Sequence, residues 1–146
     1  VEQIVIAKPE DSWELHEELL QNCIDLWNEL GLHYEVVNIC TGDMGTVAAR
    51  KYDIEAWLPG AAQYKEVVSC SNCTDYQANR LQIKYGQPGH SNQPIVHTLN
   101  STAVATSRAL VAIMEQNQLA DGSVKIPEVL IPLMGGQATL EPCNWG

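Results

Sequence analysis

The hydrophobic pattern of this chain switches between a period of two and a helical period, and each switch marks an element. Residues 1–6 alternate as a strand does and stop before Pro9. Asp11, with Glu14 three residues on, makes a helix start. Leu15, Leu19, Cys23, Leu26, Trp27 and Leu30 then recur at helical spacing until Gly31 ends the run. Glu14, Glu17, Glu18, Asp25 and Glu29 fall mostly on the opposite face, which reads as solvated. Residues 33–39 are strand-like, and Thr41-Gly42-Asp43-Met44-Gly45 is a turn without the pattern of a phosphate loop. Residues 52–58 and 64–69 alternate as strands around Pro59-Gly60, a connection too short for a crossover helix, so the pair is antiparallel. Residues 75–85 read as a helix, 86–94 as an exposed loop, 95–100 as a strand and 102–118 as a helix. The tail, with Pro127, Pro132, Gly135 and Gly136, reads as a short irregular closing segment. The sum is an α+β fold: a mostly antiparallel sheet flanked by helices.

Composition narrows the function. The 146 residues suit a single domain, and a net charge of −10 argues against a nucleic-acid binder that works by clustered positive charge. No apolar run approaches the roughly 20 residues of a membrane span, and residues 1–6 are too short for a signal peptide. The expectation is a soluble, cytoplasmic chain with no membrane partner. Cys23, Cys40, Cys70, Cys73 and Cys143 are odd in number and lack a framework spacing, which suits a reducing compartment and buried, inert thiols. Cys70-Ser-Asn-Cys73 is a lone CxxC without a second ligand pair, and His90 and His97 lack finger spacing, so no zinc is expected. The sequons at Asn72 and Asn100 would matter only in a secreted protein.

Two places could carry chemistry. Glu66 lies in a strand where period two puts Tyr64, Glu66 and Val68 on one face and Lys65, Val67 and Ser69 on the other. Among β-branched neighbours it is either half buried, where it wants a cation or a metal, or at an exposed edge in solvent. The second place runs from Asn100 through Ser101, Thr102, Ala103, Val104, Ala105, Thr106 and Ser107 to Arg108. A polar strand end enters a helix whose first turn is small, and Arg108 is the only basic residue of that helix. It is either an anion site with a guanidinium fork or a capped, tightly packed helix with a surface arginine. There is no GxSxG elbow, no HExxH and no Ser–His–acid constellation, and His97 reads as a structural histidine.

Five blocks in order and spacing resemble the C-terminal part of the catalytic domain of seryl-tRNA synthetases. They are Thr41-Gly42-Asp43-Met44-Gly45, the segment from Tyr52 to Pro59, the segment from Glu66 to Ala78, His97-Thr98-Leu99-Asn100, and Pro127-Glu128-Val129-Leu130. Asn100 to Arg108 resembles motif 3 of the class II synthetases, and Val1-Glu2-Gln3 the end of their motif 2. The resemblance implies an antiparallel sheet flanked by helices, and a reaction that activates serine with ATP to seryl-adenylate before esterifying tRNA. It implies that Glu2 holds the serine ammonium and that Asn100 and Thr102 line the serine pocket. It implies that Glu66, with Val67, Val68 and Ser69, binds ATP, Glu66 and Ser69 through Mg²⁺, and that Arg108 binds the γ-phosphate. Glu66 and Arg108 are then the catalytic pair. The chemistry suits these types, since adenylate formation is largely positioning and neutralisation of phosphate charge.

The departures matter as much. Motif 1, which builds the dimer interface of the family, has no counterpart, and most of motif 2 is missing with its α-phosphate arginine. The family's adenine-stacking residue is a Phe, and this chain has none. The coiled-coil arm that grips tRNA is also absent. Ser101 stands where many relatives have Gly, and Thr102 where several have Ser. The expectation is one partial domain over residues 1–146, a piece from inside motif 2 to the natural C-terminus that is inactive alone and belongs to a homodimeric enzyme. The alternatives are a synthetase-derived interaction module without catalysis, and a ligase that charges an amino acid onto a carrier protein.

Overall fold

The computed structural model describes residues 1–87, 89–90 and 93–143. Five strands form one antiparallel sheet: β1 (Glu2–Ala7), β2 (Tyr34–Asn38), β3 (Arg50–Leu58), β4 (Gln63–Asn72) and β5 (His97–Thr102). Their spatial order is β1-β5-β4-β3-β2, so the last strand of the sheet in sequence inserts between the first and the β3–β4 hairpin. Helices α1 (Ser12–Glu29) and α3 (Thr106–Asn117) contribute to one core on a single face of the sheet, whereas the short α2 (Tyr76–Leu81) follows β4.

Alternation explains which face is covered. Ile54, Ala56, Val68, Cys70 and Leu99 point toward α1 and α3 and bury against Leu19, Leu20, Cys23, Trp27, Ala109 and Ala112. Trp27 and Cys23 are fully enclosed there. The other face carries Asp53, Glu55, Ser69, Ser71, Asn100, Thr102 and Glu2, together with the exposed Ile4 and Ile6 of β1.

Several expectations need correcting at their edges. Asp11 precedes α1 but has helical backbone angles and makes no side-chain cap bond; the Ser12 hydroxyl instead donates to the Pro9 carbonyl at 3.2 Å. Gly31 does end α1, with φ +66 and its N–H on the Asn28 carbonyl at 2.9 Å. The helix expected over 75–85 stops at Leu81, where Gln82 turns left-handed at φ 57. The helix expected from residue 102 begins at Thr106, because Thr102 still pairs with Glu2 in the ladder. The tail is more ordered than expected: Val124–Lys125 (β6) pairs with Thr139–Leu140 (β7) around a 3-10 segment, Glu128–Met134. Part of the expected 86–94 loop lies outside the described residues.

Candidate functional site

The polar face owes its arrangement to one irregularity in the β3–β4 hairpin. Ile54 opposes Val68 but the next pair is Glu55 with Glu66, so Val67 is an extra residue, a β-bulge. Both Val67 and Val68 are buried. The bulge resets the alternation, and Glu66 comes to the same face as Ser69, each opposite a carboxylate: Glu55 opposes Glu66 and Asp53 opposes Ser69. Uninterrupted period two had put Glu66 with Val68 and Ser69 on the other side. That face assignment is wrong, and the bulge is the reason.

β4 and β5 are paired only from Cys70 to Asn72, opposite Ser101 to Leu99. Beyond that the two strands part, and β5 leads into α3 beside the free edge of β4. Arg108, in the first turn of α3, spans this gap. Its Nη1 donates to the Glu66 carbonyl at 2.8 Å and to Glu66 Oε1 at 3.2 Å. Both side chains are about half exposed, so the pair contributes at most about 1 kcal/mol and can exchange partners readily. They border an open cleft of about 390 Å³ lined also by Leu58, Lys65, Val67, Ser107 and Val111.

The other expected residues gather at the β1–β5 end. Glu2 lies directly opposite Thr102 in the ladder. Asn100 Nδ2 donates to Glu2 Oε1 at 3.1 Å, which ties a carboxylate, an amide and a hydroxyl into one patch. Asn100 is in turn opposite Ser71, two residues beyond Ser69, so the patch and the Glu66–Ser69 pair share one sheet face. Such a set offers an anion for an ammonium group at one end and a guanidinium with hard oxygen donors at the other.

The acidic neighbours were missed by the sequence reading. Asp53 is only 3% exposed, and its Oδ1 is buried without a hydrogen-bond partner. Burial raises its carboxyl above the ordinary value, opposed by the Ser69 hydroxyl and by the Lys51 ammonium 3.5 Å away, and helped by the negative charge of Glu66. Glu55 is raised too, by burial first and then by Glu35, Asp53 and Glu66. The signal for them was present: Lys51, Asp53 and Glu55 are charged at every second position of a strand. Hard oxygen donors at Glu66 and Ser69, with a buried carboxylate oxygen nearby that lacks a partner, fit a divalent cation of the magnesium type. Among the described residues no three His, Cys, Asp or Glu side chains converge on one metal position, so such a cation would complete its shell with ligand oxygens.

The cysteines divide. Cys23, Cys70 and Cys73 are buried, while Cys40 and Cys143 are exposed, so the expectation of buried thiols holds for three of the five. Burial pushes the Cys70 thiol up to about 11 and raises Cys73 as well, the opposite of an activated redox pair. His97 Nδ1 lies 2.8 Å from the Ser12 hydroxyl, a contact that joins β5 to the start of α1.

Residues 1–117 match the family profile of the tRNA synthetase class II core domain (G, H, P, S and T). The chain belongs to this family. Within the class II core family, it is 64% identical over 137 residues to a serine–tRNA ligase of Methanocella arvoryzae, covering 93% of this chain and 32% of that one. It is 58% identical to the serine–tRNA ligase of Thermococcus onnurineus, covering 89% of this chain and 28% of the relative. The fold superposes with a TM-score of 0.94 on the seryl-tRNA synthetase of Pyrococcus horikoshii solved with ATP, at 54% identity, covering 99% of this chain and 32% of that one. The cytoplasmic serine–tRNA ligase of Naegleria fowleri, solved with AMP, gives 0.90 at 46% identity, with 98% of this chain and 34% of that one covered. The α+β sheet of this chain is thus the class II catalytic fold, and the chain spans about a third of the length of these relatives.

Proposed function

We propose that this chain carries the serine and ATP-phosphate part of a seryl-tRNA synthetase active site, within a longer enzyme that activates serine and transfers it to tRNA. The observation that carries the reading is the shared open face: the bulge at Val67 and the parting of β4 from β5 bring Glu66, Ser69 and Arg108 onto the surface that holds Glu2, Asn100 and Thr102. The relatives named above are seryl-tRNA synthetases by name, and one is solved with ATP. Neither the interaction module nor the carrier-protein ligase has a supporting observation.

In this reading Glu2 takes the serine ammonium, with Asn100 fixing its carboxylate, and Thr102 meets the serine side chain. Arg108 exchanges the Glu66 carboxylate for the γ-phosphate, a gain in charge-assisted bonding for a fork-shaped cation. Glu66 and Ser69 would hold Mg²⁺ bound with ATP, with the backbone at Val67 and Val68 alongside, and that ion would neutralise phosphate charge. The serine carboxylate then attacks the α-phosphorus and pyrophosphate leaves, so the residues act by holding the two reactants in line. The α-phosphate and adenine contacts, the tRNA-binding arm and the dimer interface belong to parts of the enzyme outside these residues. The single partial domain over 1–146 and the cytoplasmic location belong to the same proposal; among the described residues no helix is long and apolar enough to cross a membrane.

The test is serine-dependent ATP–pyrophosphate exchange, run on a full-length chain carrying these residues and on the 146-residue chain alone. Exchange is expected from the first and little or none from the second. Exchange that ignores serine in favour of another amino acid would overturn the substrate, and robust exchange by the short chain would overturn the division of the site.

A further inference from the structure

Behind the proposed serine patch, the neighbouring residues on the same two strands face the other way. Gln3 and Ser101 oppose one another in the ladder, one step along from Glu2 and Thr102. Alternation turns them toward α1, where both meet Cys23. Gln3 Nε2 donates to the Leu19 carbonyl at 3.2 Å and approaches Cys23 Sγ at 3.3 Å, and Asn22 Nδ2 donates to Gln3 Oε1 at 3.0 Å. Cys23 Sγ lies 3.2 Å from the Thr102 carbonyl and 3.3 Å from Ser101 Oγ. The Ser101 hydroxyl is itself 3.2 Å from the Thr102 carbonyl. Cys23 and Ser101 are both fully buried.

Cys23 Sγ also lies 3.2 Å from the Leu19 carbonyl, but that oxygen already accepts the helical N–H of Cys23 itself and the Gln3 amide. The thiol has one proton. The Thr102 carbonyl, on the element that presents the serine pocket, accepts from the Ser101 hydroxyl alone among the other described side chains, so the thiol proton adds a second donor there. Burial keeps the proton on sulfur, since the Cys23 thiol is raised from its ordinary value by desolvation.

We infer that Cys23 is a positioning residue for the serine pocket: from behind the sheet its thiol holds the Thr102 carbonyl, and so fixes where the Thr102 side chain stands on the open face. It touches no substrate, because the sheet lies between. This rests on the reading of Thr102 as a serine-pocket residue. Its role is distinct from core filling, because two substitutions separate hydrogen bonding from volume. Cys23→Val keeps an apolar side chain of similar size and removes the donor; Cys23→Ser keeps a donor and removes apolar bulk.

The experiment measures KM for serine, KM for ATP and kcat by pyrophosphate exchange in a full-length chain carrying these residues, with Thr102→Ala in parallel. Cys23→Val is expected to raise the serine KM by roughly 2- to 10-fold, the factor one ordinary hydrogen bond sets, with the ATP KM unchanged. Cys23→Ser is expected to keep the serine KM within about twofold of the parent, as a retained donor requires. A raised serine KM in Cys23→Ser, or equal changes for both substrates in Cys23→Val, would overturn the inference. Should Cys23→Val fail to fold, Cys23→Ala, which also removes the donor, takes its place with the same expectation for the two KM values. If Thr102→Ala leaves the serine KM alone, the pocket assignment falls first. If Thr102→Ala raises it and Cys23→Val does not, only the positioning role falls.

Discussion

Arg108 donates to both the carbonyl and the carboxylate of Glu66, yet their expected roles toward ATP differ, and substitution can tell them apart. Glu66→Gln keeps the shape and removes the charge, so in the full-length enzyme it should raise the Mg²⁺ needed for pyrophosphate exchange. Arg108→Lys keeps a charge and loses the fork, so it should cut adenylate formation without moving the Mg²⁺ requirement. A Mg²⁺ titration of both variants checks the pair, and the same Mg²⁺ shift in both would sink the division of roles. At the far end of the face, Thr102→Ala should impair serine use by about 1–3 kcal/mol and ATP use much less, read from the two KM values. A third side chain bears on stability alone. His16 is fully buried on Cys70, with Nε2 3.1 Å from its carbonyl and Nδ1 unpartnered. Its pKa is lowered from 6.5, by burial first and by Arg50 in addition, against the hydrogen bond to Cys70. The unfolded chain therefore binds a proton that the folded chain resists, so stability is full above about 6.5 and falls as pH drops from there toward the lower folded value. Asp53 and Glu55, raised in the fold, oppose that loss by taking up protons earlier than in the unfolded chain. Melting temperatures at pH 7.5 and 5.5 should therefore differ more in the parent than in His16→Gln, and equal differences would exclude His16 as the source. At this scale the sequence named Glu2, Glu66, Ser69, Asn100, Thr102 and Arg108 through resemblance, and the chain brings them to one face. What it hid was the side on which Ser69 stands relative to Glu66, because an inserted strand residue has no signature among consecutive valines.

Elements bounded by local chemistry were readable, and those bounded by distant contacts were not. The α1 helix runs from a polar start to Gly31 because its apolar positions keep helical spacing and glycine takes the left-handed turn. A Cβ at Gly31 would meet nothing within 4 Å, so the cost of Gly31→Ala is the backbone alone. A loss of about 1 kcal/mol is expected, with the fold retained, measured by urea denaturation; no loss would mean that the turn relaxes. The start of α3 was placed four residues early because nothing local says that Thr102 is held in the ladder by Glu2, a hundred residues away in sequence. The strands β6 and β7 were missed for the same reason, each being two residues long and defined only by the other. The far end of α3 is likewise fixed from outside. Gln116 Oε1 accepts from the His33 N–H at 2.7 Å, and its Nε2 donates to the His33 and Trp57 carbonyls at 3.0 and 2.8 Å. Glu115 accepts from the Gly60 N–H at 2.9 Å. Arg108 thus extends from a helix held at its other end by the β2 entry and the hairpin turn.

Taken as a whole, the molecule leaves much apolar surface in water. Ile4 and Ile6 on the edge strand β1 are 74% and 61% exposed, and Leu81, Leu110 and Leu133 are also open. An unpaired strand edge beside such side chains is a template for association. The 146-residue chain alone should therefore self-associate as concentration rises, and Ile4→Lys with Ile6→Lys should reduce it; sedimentation velocity over a concentration series checks this. A monodisperse monomer at every concentration would show that this surface is tolerated. The three-residue contact between β4 and β5 has a different bearing. Glu2, Asn100 and Thr102 sit on one leaf of the sheet, and Glu66 and Ser69 on the other. The leaves meet along a seam as short as a book's spine seen end-on, with α1 laid across the back as the binding. Arg108 follows the first leaf in sequence, but its helix α3 is fastened to the second, at Glu66, Gly60 and Trp57. In the proposed reading, any change in the angle at the seam moves the serine-side residues relative to the phosphate-side residues, so the distance between the two reactants would be set by the opening of one joint.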